Sequence, residues 1–448
     1  MTLDRQTAVD AVVVGLGQSG LAAVRHLRRQ GQRVVVMDSR YEPPHAATLS
    51  REHPEVEQRL GELDATQLAR ADEIILSPGV DPRTPVLRHA ADRGQPIAGE
   101  VELFARSVTA PVIAITGSNG KSTVTRMVGA MAAAAGVPAA VGGNLGPSAL
   151  DLLAQRPDAP LFVLELSSFQ LETTRSLQPL AATVLNLSPD HMDRYAGMAD
   201  YAAAKARILR GADTAVLNAR DPYVRAMQQS GQTTVWFASD GQAADWALAD
   251  HGGEPWLLRQ GEVFMARGEL GLAGGHNTAN ALAALALGEA AGFAPEAMRH
   301  ALARFRGLPH RAEPLGRHAG RDWVNDSKAT NVGAAVAAIE GATAPVVLIA
   351  GGDGKGQSFT ALASVMQRHG RCAVVYGQDR EQLAAALEET ISVQRTARLD
   401  EAVALALEAS IPGDTIMLAP ACASLDQFPD YQARGERFRQ LVEALGDE

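Results

Sequence analysis

Only two cysteines, Cys372 and Cys422, occur in the 448 residues, and neither belongs to a CxxC pair. A disulfide scaffold and a structural zinc site are thereby set aside, and a reducing compartment fits the chain. No window approaches the roughly 18 uninterrupted apolar residues that a membrane-crossing helix needs. A basic surplus is also missing. The formal net charge of −10 argues against a nucleic-acid partner, because a phosphate backbone demands a basic face. A small anionic substrate remains open, since it needs only a few well-placed cations or N–H groups. No basic region followed by a long apolar stretch opens the chain. Its first apolar run, Ala11–Leu16, leads straight into glycines and reads as a strand, so no leader is expected. Neither a solenoid-length repeat nor a low-complexity tract is found. These absences predict a cytoplasmic protein without a membrane span.

What is present is an ordinary globular composition, 46% apolar and 21% charged, in a chain too long for one hydrophobic core. Short β-branched runs alternate with Ala/Leu-rich helical stretches, the pattern of parallel α/β sheets. Three α/β domains are expected, at residues 1–109, 110–308 and 309–448. The first opens with the strand Val9–Val14, a glycine turn, a helix ending at Gly31 and a second strand, Arg33–Met37, ending on Asp38. A later strand, 74–76, runs into the turn Ser77-Pro78-Gly79. Ala110-Pro111 reads as a linker. Beyond it come the strand Val112–Ile115, a helix over Ser122–Ala135 with Val124, Met127, Val128 and Met131 on one face, and strands Leu161–Leu166 and Ala182–Leu187. Trp246–Leu272 reads as a small antiparallel excursion, and His276–Gly292 as a helix. After the hinge-like Gly307-Leu308-Pro309, strands are expected at Trp323–Asn325, Val346–Ala350, Ala373–Tyr376 and Thr415–Leu418.

Two glycine clusters carry chemistry. Thr116-Gly117-Ser118-Asn119-Gly120-Lys121-Ser122-Thr123 sits between a strand and a helix. Unpaired N–H groups at that helix start attract phosphate, Lys121 is placed for the β/γ-phosphates, and Ser122 for Mg²⁺. Ile115 occupies the first glycine position of the full Walker pattern, leaving the shorter G-x-x-G-K-S-T. The other cluster, Gly15-Leu16-Gly17-Gln18-Ser19-Gly20, followed by Asp38 at the next strand end, has the dinucleotide form G-x-G-x-x-G. A nicotinamide dinucleotide and a UDP-sugar both satisfy it, since either docks a diphosphate at a helix start.

The phosphate loop joins other segments: Leu164-Glu165-Leu166-Ser167-Ser168-Phe169-Gln170, Ser188-Pro189-Asp190-His191-Met192-Asp193, and Tyr201 through Lys205. To these add His276-Asn277-x-x-Asn280, Leu308-Pro309-His310-Arg311, Asn325-Asp326-Ser327-Lys328-Ala329-Thr330-Asn331 and Ala419-Pro420-Ala421-Cys422-Ala423-Ser424. Together, and in this order, they resemble the Mur ligases over essentially the whole chain. The C-terminal segments resemble the branch that joins D-glutamate to UDP-N-acetylmuramoyl-L-alanine with ATP, through an acyl phosphate. Other muropeptide ligases and folylpolyglutamate synthase share the ATP core.

The resemblance implies a Rossmann-like N-terminal domain for the UDP-sugar, a central P-loop ATPase domain, and a Rossmann-like C-terminal domain that brings glutamate, in a monomer. It assigns catalysis to Lys121, His191 and Lys205, and Mg²⁺, two ions of it, to Ser122, Glu165, His191 and Lys205. Lys205 would be carbamylated, becoming an anionic oxygen donor; on composition alone it is one more exposed helical lysine. ATP is assigned to residues Gly117 through Thr123, with Asn277 at adenine and Arg311 and Asp326 at phosphates and ribose. Asp326, at a strand end, also reads as a cap for the segment that follows, whatever its function. The UDP-sugar is assigned to Gln18, Ser19, Asp38, Ser39, Arg40, Gly79, Asn144 and Gln170. Glutamate is assigned to Lys328, Thr330, Lys355, Ser424, Leu425 and Tyr431, the last a position where the family usually has Phe.

Overall fold

The computed structural model describes residues 9–272 and 274–446. Residues 1–8, 273, 447 and 448 lie outside the described residues, and with them the expectation that no leader opens the chain. Three sheets follow one another along the sequence. The first comprises β1 (Val9–Val14), β2 (Val34–Asp38), β3 (Glu57–Leu60), β4 (Ala71–Leu76) and β5 (Ile97–Gly99). Its order is β3-β2-β1-β4-β5, all parallel. The Val run of β1 is central, covered by helices on both faces and paired on both edges, which explains its unbroken apolar character. The strand order reverses beside β1, and such a switch point opens a crevice at the carboxyl ends of the strands.

The second sheet holds β6 (Val112–Thr116), β7 (Ala140–Gly143), β8 (Phe162–Glu165), β9 (Ala181–Val184), β10 (Thr214–Asn218), β11 (Thr233–Ala238), β12 (Trp246–His251), β13 (Glu254–Arg259) and β14 (Glu262–Ala266). Their order is β14-β13-β12-β11-β10-β9-β6-β8-β7. Only β12 through β14 pair antiparallel, and this is the expected excursion. The helix Lys121–Ala134 buries Val124, Met127, Val128 and Met131 in one core with the helix Gly275–Ala290. The latter is buried along most of its circumference, as its Ala/Leu composition requires.

The third sheet contains β15 (Glu313–His318), β16 (Arg321–Asn325), β17 (Val346–Gly351), β18 (Gly370–Tyr376), β19 (Ser392–Arg395) and β20 (Thr415–Leu418), ordered β15-β16-β20-β17-β18-β19. All its pairs are parallel except the β15–β16 hairpin. Among the described residues no helix is long and apolar enough to cross a membrane.

Two local expectations are corrected. The strand expected over Ala182–Leu187 stops at Val184: Leu185 N–H closes the ladder on Thr116 O of β6 at 2.9 Å, and Asn186 O then turns to the phosphate loop, accepting from Ser118 N–H at 2.9 Å. Nor does Asp326 cap the helix after β16. Asn331 does, its side chain accepting from Ala334 N–H at 2.9 Å.

The first two sheets meet at a buried carboxyl. Glu100 is 2% exposed, and its Oε1 accepts the Leu150 N–H at 2.6 Å while Oε2 has no partner. Burial pushes its pKa up to about 7, opposed by the Leu150 N–H and assisted by Asp151. A carboxyl whose folded-state pKa lies above its unfolded value prefers to fold protonated. Its ionisation therefore erodes stability as pH rises from about 4.5 to about 7. Glu100→Gln keeps the acceptor and removes the charge. The variant is expected to melt above the parent protein at pH 8, with the gap closing below about pH 4.5. Thermal denaturation across that range checks it; a gap independent of pH defeats the argument.

Candidate active site

The phosphate loop leaves β6 directly. Ile115, where the longer Walker loop has glycine, is fully buried inside the sheet, so the turn begins one residue after Thr116. Gly120 caps the following helix at φ 83°, and a Cβ there would lie 2.3 Å from Asn280 Oδ1. Only glycine fits both demands. The loop is pinned from outside: Asn119 N–H donates to Asn186 Oδ1 at 2.9 Å and the Ser118 hydroxyl to Ser188 O at 3.0 Å. Lys121 Nζ folds back to donate to Gly117 O and Ser118 O, both at 2.8 Å.

A cavity of about 540 Å³ opens over this loop. Ser118, Asn119, Gly120, Lys121, Thr123, Asn277, Arg311 and Asp326 line it, as do Glu165, His191 and Lys205 and all six glutamate candidates, Lys328, Thr330, Lys355, Ser424, Leu425 and Tyr431. Gly117 and Ser122 do not. Their polar atoms are turned to neighbours, the Gly117 carbonyl to Lys121 and Lys205, the Ser122 hydroxyl to Glu165.

Glu165 ends β8 at 1% exposure. It accepts from Ser122 Oγ and, at 2.7 Å, from Asn144 Nδ2. Burial favours its protonated form, but Lys121, these two donors and Arg311 outweigh burial and hold the carboxyl below its usual range. Lys205 is not an exposed helical lysine. At 2% exposure, its Nζ donates to Gly117 O at 3.0 Å and Thr116 Oγ1 at 3.3 Å. Burial, reinforced by Lys121, pushes its pKa well below the ordinary ammonium value, against the pull of Asp190 and Glu165. His191 stands at φ 57°, its ring 4.7 Å from that of Phe169. Burial drives its pKa down to about 4 despite Asp190 alongside, so the imidazole is neutral at physiological pH.

Residues from the third sheet close the far wall. Arg311 Nη2 donates to Ser122 Oγ at 2.9 Å and Nη1 to Thr123 Oγ1 at 3.3 Å. Lys355 Nζ lies 3.5 Å from Asp190 Oδ1. Asn331 Nδ2 donates to Asn119 Oδ1 at 3.2 Å and Asp190 Oδ2 at 3.4 Å. Asp190 and Asn331 thus join the two walls, a role their segments did not disclose. Burial pushes Asp326 up to about 6, with Arg311 opposing.

Five basic side chains (Lys121, Lys205, Arg311, Lys328, Lys355) and four carboxyl groups (Glu165, Asp190, Asp326, Asp430) line one cavity, so a chain of negative net charge gathers basic groups around the phosphate loop. Such a site suits a polyanion. Among the described residues no group of three or more His, Cys, Asp or Glu could hold a metal ion by itself. Mg²⁺ is commonly held by one or two carboxylates together with substrate phosphates. Ionised Glu165, joined to Ser122 beside the phosphate loop, fits that donor set.

A second cavity, about 560 Å³, lies at the switch point of the first sheet. Gln18, Ser19, Asp38, Ser39, Arg40, Gly79, Asn144 and Gln170 all line it. Asp38 is committed to holding this loop: it accepts from Leu16 N–H at 2.7 Å and from Arg40 Nη2 at 2.7 Å. Gln170 is similarly engaged, accepting from Ser167 N–H at 2.9 Å within a helix-capping pair. Pro78 and Asn144 border both cavities, so the two compartments share a wall that carries Glu165's hydrogen-bond donor.

Comparison with known proteins follows this layout. The chain matches the Mur ligase MurD-like N-terminal domain over residues 9–99, the Mur ligase middle domain over 115–288 and the Mur ligase glutamate ligase domain over 310–422. A UDP-N-acetylmuramoylalanine–D-glutamate ligase of Chromohalobacter salexigens is 48% identical over 452 residues, covering 99% of either chain. One of Pseudomonas syringae pv. syringae is 50% identical over 439 residues, 97% of this chain and 98% of its own. Among solved structures, UDP-N-acetylmuramate-alanine ligase MurC from Thermotoga maritima shares the fold, with a TM-score of 0.61 at 18% identity over 98% of this chain and 100% of that one.

Proposed function

The chain belongs to the Mur ligase family, and from that premise we propose that it is the ATP-dependent ligase that adds D-glutamate to UDP-N-acetylmuramoyl-L-alanine, acting as a cytoplasmic monomer in peptidoglycan precursor synthesis. One observation carries the reading: the cavity at the first sheet's switch point and the cavity over the phosphate loop share Pro78 and Asn144. A UDP-sugar seated in the first, on Gln18, Ser19, Ser39, Arg40 and Gly79, can extend its alanyl carboxylate past Asn144 toward Lys121. A dehydrogenase would have no use for that second compartment.

In this assignment residues 1–109 hold the UDP-sugar, 110–308 the ATP and 309–448 the glutamate. Asn277 meets adenine, Asp326 the ribose, and the loop from Gly117 to Thr123 with Arg311 the phosphates. The γ-phosphoryl group moves to the alanyl carboxylate while both carry negative charge, so the chemistry asks for charge neutralisation and positioning. Lys121 and Arg311 supply the neutralisation from the protein. Mg²⁺, when bound through Ser122 and Glu165, would add Lewis-acid screening of the same oxygens. His191, held neutral, and Lys205 complete the set for a second ion. Burial shifts the Lys205 amine toward the unprotonated form that can take up CO₂, which supports carbamylation there. Lys328, Thr330, Lys355, Ser424, Leu425 and Tyr431 receive the dicarboxylate.

Phosphate release measured with UDP-N-acetylmuramoyl-L-alanine, ATP and Mg²⁺, offering each amino acid in turn, tests the reading. Release is expected only with D-glutamate. Release that instead required NAD or folate would overturn it.

A further inference from the structure

Of the 41 Lys and Arg residues, only four are lysines: Lys121, Lys205, Lys328 and Lys355. All four line the cavity over the phosphate loop. Everywhere else this chain uses arginine, which stays protonated at any physiological pH, whereas a lysine in an enclosed site can give up its proton. Three of the four lysines are committed. Lys121 donates to two loop carbonyls, Lys205 to Gly117 O and Thr116 Oγ1, and Lys355 pairs with Asp190.

Lys328 differs. Its Nζ lies 3.8 Å from the centroid of the Tyr431 ring, and among the described residues it has no hydrogen-bonding or ion-pairing partner. The backbone beneath it is rigid: Lys328 N–H donates to His310 O at 3.0 Å, and the neighbouring Ser327 carbonyl accepts from the buried Arg434 at 2.8 Å. The Lys328 amine therefore lines the cavity from a braced stretch of backbone, without a hydrogen-bonding partner among the described residues.

We propose that Lys328 is the proton acceptor for the incoming amine, relieving glutamate's ammonium group of the proton it must lose before its nitrogen can attack the acyl phosphate. The proposal rests on the ligase reading above. In the step, an N–H bond of the ammonium breaks and its proton joins Nζ, leaving a neutral amine and a Lys328 ammonium. The amine's electron pair forms the C–N bond. On collapse of the tetrahedral adduct the C–O bond to phosphate breaks, phosphate leaves with that electron pair, and its oxygen takes the second nitrogen proton. The surroundings agree with the role. Burial first, then Arg311 before β15, Lys121 of the phosphate loop and Lys355 after β17, lower the pKa of Lys328 to about 7, with Glu165 at the end of β8 opposing. Tyr431, on the C-terminal helix, offers its ring face.

Hydroxylamine separates proton removal from everything earlier, because it is already neutral near pH 7 and traps an acyl phosphate as the hydroxamate. In Lys328→Gln, glutamate-driven amide formation at saturating glutamate is expected to fall on the order of a hundredfold or more, while hydroxamate formation stays near the parent rate. Lys328→Arg is expected to recover the KM for glutamate but not kcat, and the acid limb of the parent's kcat–pH profile to vanish in both variants. Hydroxamate and amide falling together in Lys328→Gln, or parental kcat in Lys328→Arg, overturns the proposal. Absence of glutamate-dependent phosphate release in the parent protein would instead overturn the ligase reading itself.

Discussion

Lys121→Ala is expected to lower turnover on the order of a thousandfold or more while leaving the fold intact. The ammonium group stands at the mouth of the phosphate loop, bound only to the carbonyls of Gly117 and Ser118. Those acceptors belong to the loop itself, so removing the side chain opens no apolar cavity and breaks no contact between sheets. In the proposed reaction, what is lost is a positive charge beside the phosphoryl group as it moves. Such preorganised charge acts with little screening and needs no reorganisation. Steady-state phosphate release, with circular dichroism as the control for folding, measures the effect. Near-parental turnover would remove Lys121 from the phosphoryl site.

The second large effect concerns stability. Arg434 is fully buried, yet no carboxylate is among its hydrogen-bond partners. Its guanidinium donates to Ser327 O at 2.8 Å, Ser327 Oγ at 3.0 Å, Cys422 O at 3.1 Å and Gly351 O at 3.4 Å. One side chain thus ties together the loops after β16, β17 and β20, which carry Lys328, Lys355 and Ser424. Arg434→Met leaves these acceptors unsatisfied in a dry interior, and each orphaned group costs about 1–3 kcal/mol. The expected destabilisation is about 3–5 kcal/mol, read as a lower urea midpoint, together with a raised KM for glutamate and an unchanged one for the UDP-sugar. A loss below about 1 kcal/mol would mean that other groups or water replace the guanidinium.

Sequence and structure agree most closely where burial leaves one choice. The Val and Ile runs of β1, β6 and β17 are apolar on both faces because they lie inside parallel sheets, and each was readable as a strand. Most edge strands escaped notice. β3 reads Glu-Gln-Arg-Leu and β19 Ser-Val-Gln-Arg, neither with an apolar period; β7 carries two glycines, and β15 contains Pro314 and Gly316. At an edge the ladder and not the side chains makes the strand. The site divides in the same way. The phosphate loop was legible because one contiguous turn holds its phosphate-facing chemistry. The Lys355–Asp190 pair was not, since its partners stand 165 residues apart and only the packing of two sheets brings them together. Arg434 carries no signal of its own: in a helix rich in Arg, Glu and Gln it resembles its exposed neighbours, and only tertiary packing buries it.

The confinement of every lysine to one cavity has a practical consequence for labelling. Amine-directed reagents, which on most proteins scatter over the surface, find lysine side chains here only in the cleft over the phosphate loop. Loss of label on adding nucleotide or amino acid then reports occupancy of that cleft, with little background from elsewhere on the molecule.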